Sequence, residues 1–315
     1  MEINHGKAAI IGCGFVGSAT AFALVQSRIF TELVLIDANR ERARGEAMDI
    51  AHGIPFSGQM KIYAGDYSDV GDCAVIIITA GAGQKPDETR LDLVHKNVEI
   101  FKNIIPQISE QNFKGILLVV SNPVDILTYA AVKLSGLPEN HVLGSGTVLD
   151  TARLKYYLSK HLDVDSRSVH SFIIGEHGDS EIAAWSSANI SGISLDSFCK
   201  MKGFYDTETA KYEIADDVKN CAYEIIEKKQ ATYYGIAMSV KRICECIMKD
   251  EKSILPVSSM LHGEYGIEGI SLSIPSVIGK RGVERRILIS LSDDELEALK
   301  KSANLLKSVA DSIGI

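Results

Sequence analysis

A histidine flanked by glycines, in Gly175-Glu176-His177-Gly178-Asp179, follows directly on the apolar run Phe172-Ile173-Ile174. An imidazole at a strand end can give and take a proton near neutral pH, although a single histidine is more often structural. Upstream, Leu149-Asp150-Thr151-Ala152-Arg153 sets a carboxylate and a guanidinium three residues apart. That spacing puts both on one helix face, where they could serve a substrate or simply bind each other. Ser121-Asn122-Pro123-Val124-Asp125 comes just past an apolar strand. Parallel sheets receive ligands at that edge, and the segment reads equally as a turn before a helix. The last such segment is Gly81-Ala82-Gly83-Gln84-Lys85-Pro86-Asp87-Glu88-Thr89-Arg90, with two glycines at its root. It suits a movable cover over a site, or a solvated surface loop.

Near the N-terminus, Gly12-Cys13-Gly14-Phe15-Val16-Gly17 has the spacing G-x-G-x-x-G. The first glycine permits a tight turn, the second a close approach of backbone to pyrophosphate, the third close helix-on-strand packing. The helix that follows offers free N–H groups and a positive dipole end to phosphates. Alone, the motif could be any glycine-rich turn. Asp37 adds context, since it ends the second apolar strand twenty residues past Gly17. A carboxylate there can accept both ribose hydroxyls and repels a 2′-phosphate, so NAD is expected in place of NADP. Asp37-Ala38-Asn39 is also turn-like, and Arg40 and Arg42 nearby leave room for NADP.

These segments need elements to hold them. Residues 7–11, 33–36, 75–79 and 116–120 are apolar, charge-poor strands, while 17–27 and 40–50 read as helices. Leu91, Val94, Val98, Phe101 and Ile105 recur at helical spacing between the last two strands. Continuous apolar strands alternating with helices imply a parallel sheet covered on both faces. The expected architecture is therefore α/β, a Rossmann-type doubly wound parallel sheet over residues 1–145. Beyond that point helices mix with short Ser/Thr-rich strands, giving a second, mixed α+β domain over 146–315 that carries the substrate and catalytic residues. Ser292-Asp293-Asp294-Glu295 has capping-box spacing and opens a final amphipathic helix. No flexible linker separates the halves, so they are expected to share an interface.

Composition removes several alternatives. A net charge of −8 without a dense Lys/Arg block argues against nucleic acid as a partner. The N-terminus lacks the apolar stretch of a signal peptide, and no apolar run is long enough to span a bilayer. The six cysteines are scattered, and Cys244 and Cys246 are poorly spaced as joint ligands on a helix. A cytoplasmic protein with reduced thiols and no metal is expected.

With all these segments in this order, the chain resembles the lactate/malate dehydrogenase family, and within it the bacterial lactate-type members, over essentially all 315 residues. The most specific pieces are Leu149 to Arg153 and Gly175-Glu176-His177-Gly178-Asp179-Ser180. The resemblance implies an NAD-dependent oxidoreductase that interconverts a small 2-oxo acid and its L-2-hydroxy acid. It implies that Arg153 grips the substrate carboxylate with two parallel hydrogen bonds. His177 would be the general acid for the ketone oxygen and the base in reverse, oriented by Asp150. Arg90 would polarise the carbonyl once its loop closes and excludes water. Asn122 would lie near the reacting oxygen and nicotinamide, and Thr232 would line the substrate pocket. Gly12, Gly14, Val16, Gly17 and Asp37, with Asn122, would hold the cofactor.

By the same resemblance, malate-type members carry arginine where this chain has Gln84, six residues before Arg90. A neutral amide would leave a second substrate carboxylate poorly paired, at a cost of several kcal/mol in a dry pocket. Pyruvate and lactate are therefore the favoured pair, with Lys85 expected to face away. Malate dehydrogenase is the rival reading, a branched 2-hydroxy acid substrate ranks next, and a non-catalytic binding or structural protein of the same fold is a further alternative. That last has no physical reason to retain Arg90, Asp150, Arg153 and His177 together. The resemblance further implies a homotetramer, and an effector site for fructose 1,6-bisphosphate at Lys155 and His170. Lysine replaces the family's arginine at the first position, which keeps the charge but loses the bidentate fork.

Overall fold

The computed structural model of the chain describes residues 2–83 and 89–314, the side chain of Arg90 excepted. Its centre is a sheet in which β1 (Asn4–Ile11), β2 (Glu32–Ile36), β3 (Lys61–Ala64), β4 (Cys73–Ile78), β5 (Ile116–Val119) and β6 (Val142–Gly144) run parallel in the order β3-β2-β1-β4-β5-β6. The register pairs Ile10 of β1 with Leu35 on one side and Ile77 on the other. β3 was not among the expected strands, being only four residues long with Lys61 and Tyr63 in it. The sheet alternates α1 (Phe15–Ser27), α2 (Arg40–His52), α3 (Arg90–Glu110) and α4 (Val124–Ser135) between its strands. This is the doubly wound arrangement that the apolar strands demanded.

Strand periodicity sorts the core into two layers. Ile10, Leu33, Leu35, Val75, Ile77 and Leu118 face one cluster, whereas Ile11, Val34, Ile36, Ile76, Ile78 and Leu117 face the other. All six residues of β4 are buried, as expected of a strand covered on both faces.

The second half contains α5 (Val148–Leu162), α6 (Leu195–Lys202), α7 (Thr207–Lys229), α8 (Tyr234–Met248) and α9 (Asp293–Ser312) with short strands between them. It has a core of its own around Leu154, Leu158, Val169, Ile190 and Val218. It also clasps the sheet. Val240, Ile243 and Ile247 of α8 join one layer, and Leu299, Ala303 and Leu306 of α9 join the other. Two antiparallel strands, Ser258–His262 and Glu268–Ser273, extend the sheet beyond β6 through the pair Ser258 and Gly144. The Ser292 and Glu295 side chains form the expected reciprocal cap on α9. Among the described residues no helix is long and apolar enough to cross a membrane.

Candidate active site

β1, β4 and β5 are parallel neighbours, so the loops leaving their carboxyl ends meet along one edge. The glycine loop lies there. Gly12 has φ of +104°, and a Cβ would stand 2.5 Å from the Ala80 backbone nitrogen. At Gly17 a Cβ would come within 1.9 Å of the Gly12 carbonyl oxygen, so only glycine lets α1 sit this close. Gly14 differs, because nothing lies within 4 Å of its missing side chain. The loop thus fronts open space that a phosphate could approach.

Side chains of Asn39, Thr89 and Ser292 cap α2, α3 and α9, but α1 starts at Gly14 with no side-chain cap and no acid in its first turn. Val16 lies in that turn, half-buried. An uncapped positive helix end behind a glycine loop fits a diphosphate. Asp37 accepts hydrogen bonds from the Cys13 N–H at 2.7 Å and the Asn39 N–H at 2.8 Å. It therefore pins the loop to the end of β2, and its remaining lone pairs suit a ribose. Arg40 is paired with Asp66 at 3.2 Å. The donor and acceptor set fits NAD.

The catalytic candidates converge from separate elements. Thr147 precedes α5 and donates to the Ile173 carbonyl at 2.6 Å, fixing the helix against the strand that leads to His177. Asp150, in the first turn of α5, then meets His177: its Oδ2 lies 2.5 Å from Nδ1. Its Oδ1 accepts from Arg153 at 2.8 Å. The ion pair that three-residue spacing allows is formed, yet a guanidinium carries five donors and one bond leaves capacity for a carboxylate. The Asp150 side chain is 2% exposed and that of His177 25%, so the pair is dry below and reachable above. Burial pulls the imidazole down, but the Asp150 carboxylate outweighs it and holds His177 at about 9. Burial pushes the Asp150 carboxyl up, but His177 and Arg153 win and lower it.

Other groups serve this centre without having been picked out from the sequence. Asp125, buried in the first turn of α4, accepts from the His177 N–H at 2.8 Å and from Ser258 at 2.6 Å. Burial raises its carboxyl to about 6. Asn97 of α3 is buried and accepts from the Ala82 N–H at 2.7 Å while donating to the Asn122 carbonyl at 2.7 Å. It ties the root of the segment 81–90 to the segment that carries Asn122. Glu181, four residues after His177, is buried as well. Polar residues in a glycine-rich loop look solvated by composition, and contacts spanning fifty residues leave no local signal.

Asn122 itself is exposed just beyond β5. Thr232 is half-buried between α7 and α8, and its neighbour Tyr233 stacks on Phe15 of the glycine loop with ring centroids 5.4 Å apart. Gln84 and Lys85 lie outside the described residues, as does the side chain of Arg90, whose backbone opens α3. Lys155 is two residues past Arg153 and so points to another side of α5; burial lowers its ammonium. His170 is exposed on the short strand Val169–His170. Donor atoms of Asp150, His177 and Glu181 lie within 4.8 Å of one another, but Arg153 and His177 already occupy both Asp150 oxygens. That arrangement suits proton traffic better than a metal ion. All six cysteines are free and buried.

Comparison with known proteins agrees with this geometry. An L-lactate dehydrogenase of Thermoanaerobacterium saccharolyticum is 53% identical over 309 residues, covering 98% of this chain and 99% of the relative. An L-lactate dehydrogenase 1 of Clostridium acetobutylicum is 52% identical, with coverage of 98% and 99%. The crystal structure of a minor L-lactate dehydrogenase from Enterococcus mundtii in its ligands-bound form superimposes with a TM-score of 0.95 at 43% identity, over 98% of each chain. The family's descriptions match in two stretches: lactate/malate dehydrogenase, NAD binding domain over residues 6–144, and lactate/malate dehydrogenase, alpha/beta C-terminal domain over residues 147–313. Since these stretches account for nearly the whole chain, it belongs to the lactate/malate dehydrogenase family, as an NAD-binding oxidoreductase.

Proposed function

We propose that the chain reduces pyruvate to L-lactate with NADH, and catalyses the reverse reaction, using His177, Asp150, Arg153 and Arg90. The observation that carries this reading is the 2.5 Å contact of His177 Nδ1 with a buried Asp150 whose other oxygen holds Arg153. A proton and a carboxylate grip are thereby set side by side. When bound, NAD supplies the hydride chemistry. With Nδ1 engaged by Asp150, His177 holds the transferable proton on Nε2, delivers it to the ketone oxygen, and takes it back in the oxidation direction. Arg153 orients the substrate through its carboxylate. Arg90 polarises the carbonyl, the Asn122 amide steadies the reacting oxygen, and Thr232 lines the pocket. We take residues 1–145 as the cofactor unit and 146–315 as the catalytic one.

Substrate choice rests on Gln84. NADH oxidation with pyruvate, oxaloacetate and 2-oxoisocaproate, measured side by side, is expected to favour pyruvate. Gln84→Arg is expected to move the preference towards oxaloacetate by about a thousandfold, since each ~1.4 kcal/mol of charge pairing is worth about tenfold. An unchanged ranking in the variant would remove Gln84 as the selector.

We further read the chain as a cytoplasmic homotetramer. Buried free thiols fit a reducing compartment. Phe22, Met48 and Met238 are exposed on α1, α2 and α8, an apolar surface that a second copy would cover. Lys155 and His170 are the residues for a fructose 1,6-bisphosphate effector. Its test is the rate against added effector at subsaturating pyruvate, where a flat curve means that no such site operates.

A further inference from the structure

We propose that Glu181 is a substrate gate: the site receives its anionic substrate only while this third carboxyl group is neutral. The inference rests on the reading of the substrate as a 2-oxo acid. Glu181 leads into the strand Ile182–Ala183, which pairs with Ile173–Ile174 and so holds the loop against the strand before His177. The residue is 7% exposed, and its Oε1 is buried without a hydrogen-bond partner among the described residues. Ionisation would leave that oxygen charged and without a donor, a cost that the neutral carboxyl group largely avoids.

Its surroundings show what ionisation would do. Facing it are Asp150 and Arg153 of α5, His177 of its own loop, and Lys219 of α7. The Cys221 thiol of α7 also senses it. Asp125 acts on His177, and Glu176 acts on Asp125 in turn; Asp125 is satisfied by the His177 N–H and Ser258. Lys219 is exposed, so water screens it. In the innermost trio, a protonated His177 and Arg153 outweigh Asp150 by one positive charge, which is what one substrate carboxylate requires. A charged Glu181 within 4.8 Å of Asp150 and His177 cancels that surplus. Burial first, then the Asp150 charge, pushes the Glu181 carboxyl up to about 8. It is therefore neutral at pH 7 and ionises before His177, held at about 9, loses its proton.

The test is the pH dependence of the KM for pyruvate in the wild-type chain and in Glu181→Gln, a neutral near-isostere. The two are expected to agree at pH 6.5. At pH 9 the wild-type KM is expected to have risen about tenfold more than that of the variant, from the fraction of a group of pKa 8 still protonated. A second measurement needs no variant. Oxamate, an uncharged-amide analogue of pyruvate that retains the carboxylate, is added to the wild-type NADH complex at pH 8 in weak buffer. Uptake of about half a proton from Glu181 is expected, beyond about a tenth from His177. Superimposable KM profiles, or uptake of only about a tenth of a proton, overturn the gate while leaving the substrate reading intact. Failure to reduce any 2-oxo acid or bind oxamate at any pH overturns both.

Discussion

His177→Asn is expected to lower kcat for pyruvate reduction by about 10³–10⁴-fold while NADH affinity stays within about twofold. A positioned general acid contributes on the order of 10²–10⁴ in rate. Asparagine can still donate a hydrogen bond to the ketone oxygen, but it cannot release the proton that the alkoxide needs. The dinucleotide site is built from other elements: the loop between β1 and α1, and Asp37 at the end of β2. The backbone of residue 177 keeps its bond to Asp125 whatever the side chain, so the loop geometry survives. Steady-state kinetics combined with an NADH fluorescence titration separates the two effects. A kcat within tenfold of wild type would put the proton donor elsewhere; a parallel loss of NADH affinity would mean that the substitution had disturbed the fold.

What made such a prediction possible from the amino-acid order was unevenly distributed. β4 and β5 announced themselves because strands buried on both faces are nearly all apolar. The glycine loop did so because three backbone constraints fall within six residues, and the structure shows each one in a different form at Gly12, Gly14 and Gly17. Asp150 and His177 were legible as motif members, but their contact joins residues twenty-seven apart, and nothing local encodes it.

The strands Ser258–His262 and Glu268–Ser273 were harder to read. Ser258, Ser259, Ser271 and Ser273 are buried, and buried serines imitate the polar half of an alternating pattern. The reason for one of them is chemical: the Ser258 hydroxyl donates to Asp125, which in turn holds the His177 backbone. Nothing local marks Asp125 or Glu181 as buried, because burial of a carboxylate is decided by which distant elements close over it.

Asp150→Asn tests the electrostatic half of the site and is expected to cost about 10³–10⁴-fold in kcat/KM at pH 7, the range seen when an imidazole loses its orienting carboxylate. The charge beside Nδ1 is the largest pull keeping the proton on His177 to about 9; without it burial is opposed only by Asp125 and Glu181, and the proton affinity falls to the range of a free imidazole, near 6.5. The variant is thus expected to regain activity by about tenfold for each unit the pH is lowered through the neutral range, where the wild-type profile is flat.

Stability follows the same pair with opposite signs. The folded Asp150 carboxyl is lowered, so its contribution is present above about 4 and lost in acid. The folded His177 is raised, so its contribution is complete below about 6.5 and lost as pH rises through 9. Wild type and variant are therefore expected to differ most in the unfolding free energy from urea titration between pH 4 and 6.5, by about 3–5 kcal/mol for a broken buried pair, and to differ less above pH 9, where the Asp150 bond to Arg153 still separates them. A variant profile running parallel to wild type at all pH values would show that Asp150 positions the ring without setting its proton affinity.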